Sequence, residues 1–151
     1  MARRLTEEQV AKSIIRWLVR NGWTIIAFDF PQSGTGKVLH PSNTTSKTDG
    51  AIIPDIIAYK NGIVVDFENK DRYVQSDFEK VSFMKNTTIY DRSFSTLLKG
   101  YAYTKIYYGI GMPYSDAFFT KSEENKHLVD FITFVNEDNS IKIIDNIGDI
   151  F

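Results

Sequence analysis

Ile53-Pro54-Asp55-Ile56-Ile57-Ala58-Tyr59-Lys60-Asn61-Gly62-Ile63-Val64-Val65-Asp66-Phe67-Glu68-Asn69-Lys70 is the stretch on which the reading of this chain turns. Asn61-Gly62 is the strongest short-range hairpin signal, because a type I′ turn needs positive φ at both central residues and Asn and Gly tolerate it. With those two residues in the turn, Lys60 pairs with Ile63, and counting outward sets Asp55 directly opposite Glu68. Their Cβ atoms then lie roughly 5 Å apart on one face of the ribbon. Two carboxylates at that distance repel by roughly 3 kcal/mol at an effective dielectric near 20. A divalent cation turns that repulsion into attraction.

The two-residue period of a strand puts Lys70 on the face of Glu68, while Ile52, Ile56, Ala58, Ile63, Val65 and Phe67 form a continuous apolar surface on the other. One face is expected to be core and the other to carry chemistry. Mg²⁺ takes oxygen ligands octahedrally, keeps several waters, and is held by one or two carboxylates plus substrate phosphate oxygens. Asp55 and Glu68 fit that role. A lysine beside the metal can orient or help deprotonate the attacking water and stabilise charge developing on a phosphate, and Lys70 is spaced for it. Asp66 shares the Glu68 face, where it reads more readily as a solvated or hydrogen-bonded strand carboxylate than as a ligand of a second metal.

Pro54-Asp55 followed by Glu68-Asn69-Lys70 resembles the PD-(D/E)xK nuclease superfamily, which includes many type II restriction endonucleases and the archaeal Holliday junction resolvases. The resemblance implies that Asp55 and Glu68 bind Mg²⁺, with Mn²⁺ able to substitute, and that Lys70 assists the nucleophilic water. The motif alone is common by chance, so its weight comes from the hairpin, the facing and an acidic helix upstream. In that helix, Thr6-Glu7-Glu8-Gln9 reads as a capping box with Thr6 as N-cap and Gln9 at N3, and Leu5 with Val10 supplies the hydrophobic staple. Val10, Ala11, Ile14, Ile15, Trp17 and Leu18 follow helical spacing, and Asn21-Gly22 is the stop. Glu7 falls near the centre of this stripe and Glu8 at its edge, so Glu7 is expected to face the sheet. It resembles the further acidic residue that the superfamily often carries on its first helix. Both glutamates also suit the positive end of the helix dipole.

A chain of 151 residues with 42% hydrophobic content suits one globular domain, which leaves recognition to loops or a partner. The formal net charge is −1, so the surface lacks the bulk basic character that drives non-specific nucleic-acid binding, and any DNA contact must use a local patch. There is no cysteine, which excludes disulfides, thiolate zinc sites and a cysteine nucleophile; with only His40 and His127, a histidine-rich metal centre is excluded too. Met1-Ala2-Arg3-Arg4 runs into the capped helix without an apolar leader, and no stretch is long enough to span a membrane, which suggests a cytoplasmic protein.

Elsewhere, Trp23 to Phe30 reads as a strand. Gln32 to Gly50 is a long polar stretch in which Lys37 and Lys47 could follow a phosphate backbone. Its Ser33-Gly34-Thr35-Gly36-Lys37 fails the P-loop fingerprint, which needs Gly where Pro31 stands and Ser or Thr where Val38 stands. Ser76-Asp77-Phe78-Glu79 suggests a second capping box opening a helix to about Lys85. Arg92 to Lys99 reads as a helix stopped by Gly100, and Lys105 to Met112 as a buried strand ending at Pro113. Ser122 is expected to open a helix to about Asp130, and Phe131 to Val135 with Ile141 to Ile144 to close the chain as a hairpin. Tyr101, Tyr103, Tyr107 and Tyr108 fit packing better than base stacking, and Arg72, Lys80, Lys85 and Arg92 read as a solvated face.

Together these readings predict an α/β domain with a mixed central sheet flanked by helices, resembling the αβββαβ core of the restriction endonuclease-like fold from Glu7 to about Ile110. The implied activity is a Mg²⁺-dependent DNA endonuclease, restriction-type and homodimeric, acting on duplex or branched DNA. The alternatives are a structure-specific nuclease resembling a Holliday junction resolvase, and a non-catalytic nucleic-acid-binding module on the same fold, against which the intact Asp55, Glu68 and Lys70 argue.

Overall fold

In the computed structural model, which describes residues 5–30, 35–42 and 51–151, Asn61 and Gly62 both adopt positive φ, 49° and 84°. The turn closes β2 (Ile56–Lys60) on β3 (Ile63–Asn69) in the expected register, from Lys60 opposite Ile63 to Ile56 opposite Phe67. β1 (Thr24–Phe28) pairs antiparallel with β2, shorter than the expected Trp23 to Phe30 and with a register shift between Ile25 and Ala27. β4 (Lys105–Pro113) runs parallel to β3, β5 (Phe131–Val135) parallel to β4, and β6 (Ile141–Asp145) antiparallel to β5. The result is one mixed six-stranded sheet in the order β1-β2-β3-β4-β5-β6.

Among the described residues four α-helices flank it: α1 (Glu7–Arg20), α2 (Gln75–Asn86), α3 (Asp91–Leu97) and α4 (Asp116–Asn125), the last continued by a 3-10 turn at Lys126–Leu128. Val10, Ile14 and Leu18 of α1 bury against Ile56, Ala58, Val65, Phe67 and Phe131. The other face of the ribbon is also covered, contrary to the expectation of one apolar and one chemical face. Ile57 and Val64 are fully buried in a cluster with Met84, Phe94 and Leu98, and β4 and β5 meet Phe78 and Val81 of α2 there. Parallel strands joined by helical crossovers are normally buried on both sides. Ile52 belongs to this second side; it lies before β2, forms an isolated bridge with Leu39, and joins the Met84–Phe94 cluster.

α1 has the expected capping box: Thr6 Oγ1 accepts the Gln9 N–H at 3.1 Å, and the Gln9 side chain accepts the Thr6 N–H at 2.8 Å. Two other helix starts differ from expectation. α2 begins at Gln75, ahead of Ser76, with Val74 as an N-cap that makes no side-chain bond. Gln75 is instead held by the neighbouring Tyr73 hydroxyl and by the Asn125 side chain, the second a long-range anchor invisible in local sequence. α4 begins at Asp116, where Ser115 Oγ accepts the Phe118 N–H at 3.0 Å. Ser122, expected as its N-cap, is buried mid-helix and donates its hydroxyl to Met112 Sδ. Among the described residues no helix is long and apolar enough to cross a membrane.

The approach of β5 to β4 depends on Gly109. A Cβ there would fall 2.3 Å from the Phe131 ring, which is fully buried among Phe67, Phe151 and the α1 core. Gly109→Ala is therefore expected to destabilise the fold by about 1–3 kcal/mol, the usual range for overpacking. Urea denaturation that returns the native midpoint would contradict this.

Candidate active site

Asp55 sits one residue before β2, where the ladder slips. Its N–H donates to Phe67 O at 3.1 Å and its own carbonyl accepts the Asp29 N–H, so it stands beside Phe67 rather than squarely opposite Glu68 as expected. An irregularity of this bulge-like kind re-aims a side chain, and Asp55 Oδ2 turns across the ribbon end to accept the Asn69 N–H at 2.7 Å. The two acids still meet electrostatically. Burial, then the charge of Glu68, push Asp55 up to about 8 against the opposing pull of the Asn69 N–H. Glu68 is also raised by burial, which outweighs its ion pair.

That pair is with Lys80, whose Nζ lies 3.1 Å from Glu68 Oε1. Burial alone would lower Lys80, but Glu68, Asp55 and Asp77 together hold it above its ordinary value. Lys80, Glu68, Asp66 and Tyr108 line a cavity of about 20 Å³ under α2, closed by Pro54 and Met84. That is room for about one water molecule. Asp66 shares the Glu68 face as expected, but it is buried, and burial followed by the charges of Glu68 and Asp55 raises it well above the carboxylate range.

Lys70 follows the end of β3, its N–H bonded to Gly111 O at 2.9 Å. Its charge is the largest influence opposing burial at both Glu7 and Asp77, and a smaller one at Glu68. Glu7, raised by burial, is felt in turn at Asp55. Glu8 is exposed and pairs with Lys12 at 3.5 Å, so the helix phase that turned Glu7 toward the sheet is the observed one.

Lys80 and Asp77 were missed in the sequence. Asp77 reads as a first-turn acid, yet it is buried, with one carboxylate oxygen lacking a partner. The available signal was spacing: Asp77, Lys80, Val81 and Met84 lie three to four residues apart, so Lys80 borders a buried stripe. Lys85 also departs from the solvated reading and pairs with Asp130 at 2.9 Å, while Arg72 pairs with Asp71 at 2.7 Å. Of the loop cations, Lys37 is exposed and lines a separate groove with Arg92, and Lys47 lies outside the described residues.

Among the described residues no three acidic or histidine side chains converge to hold a metal by themselves. Asp55 and Glu68 instead offer two desolvated, mutually repelling carboxyls. That pair fits a hard cation which keeps part of its water shell and takes further oxygens from a substrate. Comparison with known proteins finds no matching family model, curated protein or solved structure.

A carboxyl whose pKa rises on folding stabilises the fold below its unfolded value and loses that contribution as pH rises through its folded value. For Asp55 the window runs from 3.8 to about 8, so metal-free stability should fall across it. Asp55→Asn, which keeps an acceptor for the Asn69 N–H, is expected to raise Tm at pH 8 in EDTA by at least about 2–4 °C, the shift worth 1 kcal/mol in a chain of this size. Melting below the native protein under those conditions would show that the buried charge is not a burden.

Proposed function

We propose that this chain is a Mg²⁺-dependent phosphodiesterase acting on DNA, an endonuclease of the PD-(D/E)xK kind and restriction-type in its use. The observation that carries the reading is the meeting of Asp55 and Glu68 at the open end of the β2–β3 ribbon, both driven above their ordinary pKa by burial. Such a pair gains most from a cation. The element order from α1 through three antiparallel strands to α2 and a parallel β4 supports the same reading, with α3 as an addition to the αβββαβ plan.

Asp55 and Glu68 would hold the metal, which when bound supplies Lewis-acid polarisation of the scissile phosphate. The Asn69 N–H keeps the Asp55 carboxylate oriented, and Lys80 does the same for Glu68. Lys70 is the residue to orient the attacking water and draw on its proton. Water attacks phosphorus, the bond to the leaving sugar oxygen breaks, and a proton passes to that oxygen. Glu7, at the start of α1, adds negative charge near Asp55 and strengthens the hold on a cation. Cutting both strands of a duplex needs two such sites, which a symmetric homodimer supplies.

Asp55→Asn and Glu68→Gln are each expected to abolish Mg²⁺-dependent cleavage with the fold retained, and Lys70→Ala to abolish it while metal binding largely persists. Cleavage of duplex, branched and single-stranded DNA in parallel tests the whole reading. Preference for branched substrates would favour a resolvase-like enzyme, and DNA binding without any cutting would favour a non-catalytic module. Undiminished nicking by purified Asp55→Asn or Glu68→Gln would end the assignment of this site.

The two glutamates of α1 give a separate check. Glu7→Gln should slow cleavage more than Glu8→Gln, because only Glu7 acts on Asp55. Equal or reversed rates would remove Glu7 from the site.

A further inference from the structure

A second surface lies beside the candidate active site. Between residues 37–40 and α3 runs a groove of about 380 Å³ whose polar lining among the described residues is Lys37, His40, Arg92, Ser93 and Thr96, with no carboxylate among them. Asp91, next to Arg92 in sequence, lines a different groove on the other side of α3. Among the described residues neither Lys37 nor Arg92 forms an ion pair. The groove is braced: the His40 N–H donates to Ser93 Oγ and the Ser93 hydroxyl donates to His40 O, both at 2.9 Å. Leu39 is buried below and exchanges backbone hydrogen bonds of 2.7 and 2.9 Å with Ile52. Ile52 also lines the cavity that holds Asp66, Glu68 and Lys80. A single bridge therefore couples the cationic groove to the acidic cavity.

The charge distribution demands such a partner surface. The chain carries a net charge of −1, Asp66 and Glu68 line the cavity, and Glu7, Asp55 and Asp77 interact electrostatically with the same cluster, so a polyanion is repelled where it would be cut. Attraction must come from cations close by. An arginine fork recognises phosphate oxygens bidentately, a lysine adds a point charge, and hydroxyls complete the contacts. We propose that the Lys37–Arg92 groove binds the phosphate backbone of the nucleic acid flanking the cleaved bond. This rests on the phosphodiesterase reading and extends it by naming where the substrate runs. It sets Arg92 beside Lys37, with Lys47 lying outside the described residues.

The test is fluorescence anisotropy with a labelled DNA duplex in Ca²⁺, which suppresses cutting, titrated with salt. The Lys37→Ala, Arg92→Ala double variant is expected to reduce the slope of log affinity against log salt by about 1.8, two contacts at about 0.9 each, and to weaken binding roughly tenfold or more at about 0.1 M salt. Both side chains are exposed, so its melting should match the native protein, and Lys37→Arg with Arg92→Lys should keep the slope. An unchanged slope in the alanine variant, with native cleavage intact, overturns the groove and leaves the nuclease reading standing. A lost slope with no cleavage by the native protein under any metal sustains the groove and removes the hydrolytic reading. Absence of DNA binding by the native protein overturns both.

Discussion

The register of the β2–β3 ribbon governs everything around the site, and two residues set it. Asn61 and Gly62 hold positive φ, so the turn is two residues long and Lys60 must face Ile63. A slip of one residue would send every side chain to the opposite face. In the observed register Val65 and Phe67 go to α1, while Val64, Asp66 and Glu68 go to the side of α2 and α3. The parallel neighbours inherit that alternation. Gly109 and Gly111 of β4 lie on the α1 side, where Phe131, Asn69 and Ile14 close over them, and Ile110 and Met112 lie under α2. The acids are thus a consequence of the same parity that builds the core.

Covering both faces has an electrostatic cost. A strand carboxylate facing water keeps its ordinary pKa, but α2 lies over this one, and Asp66 and Glu68 are both raised. Burial of ionised groups is tolerated where they are paired, and Lys80 pairs with only one of these. Asp55, which leaves the regular ladder, gains part of its compensation from the Asn69 N–H. Such departures from an otherwise consistent design concentrate at functional sites, where stability is exchanged for chemistry.

What was legible in the sequence was what local chemistry dictates. The Asn61-Gly62 turn, the Thr6 capping box, the Gly100 stop and the facing of Glu7 all follow from residues within a few positions of one another. What failed depended on distant partners. Ser76-Asp77-Phe78-Glu79 has the composition of a cap, but α2 begins earlier, at Gln75, whose side chain bonds to Asn125 fifty positions on. Ser122 has the composition of a cap too, yet Met112 takes its hydroxyl, and Ser115 caps α4 instead. Lys80 was legible only in part. Its spacing from Asp77, Val81 and Met84 sets it at the edge of a buried stripe, but nothing local reveals that the crossover helix will set its ammonium against Glu68, on a strand twelve positions back.

The two lysines explain why the site still lacks positive charge. Lys70, in the chain following β3, lowers Glu7, Asp77 and Glu68, and Lys80, on α2, lowers Asp55, Glu68, Asp66 and Asp77, so their influence overlaps at Glu68 and Asp77. All five acids nevertheless remain above their ordinary values, because burial outweighs both lysines. A further monovalent side chain would have to be ordered and desolvated as well, at an entropic cost. A divalent cation brings twice the charge on one centre and keeps water as its remaining ligands. On the proposed reading a divalent ion meets the deficit left by Lys70 and Lys80, which exposed cations in a neighbouring groove do not, since solvent screens them. Lys70 and Lys80 thus lie among the buried acids while Lys37 and Arg92 line a groove of their own, so the chain divides these cations between two surfaces.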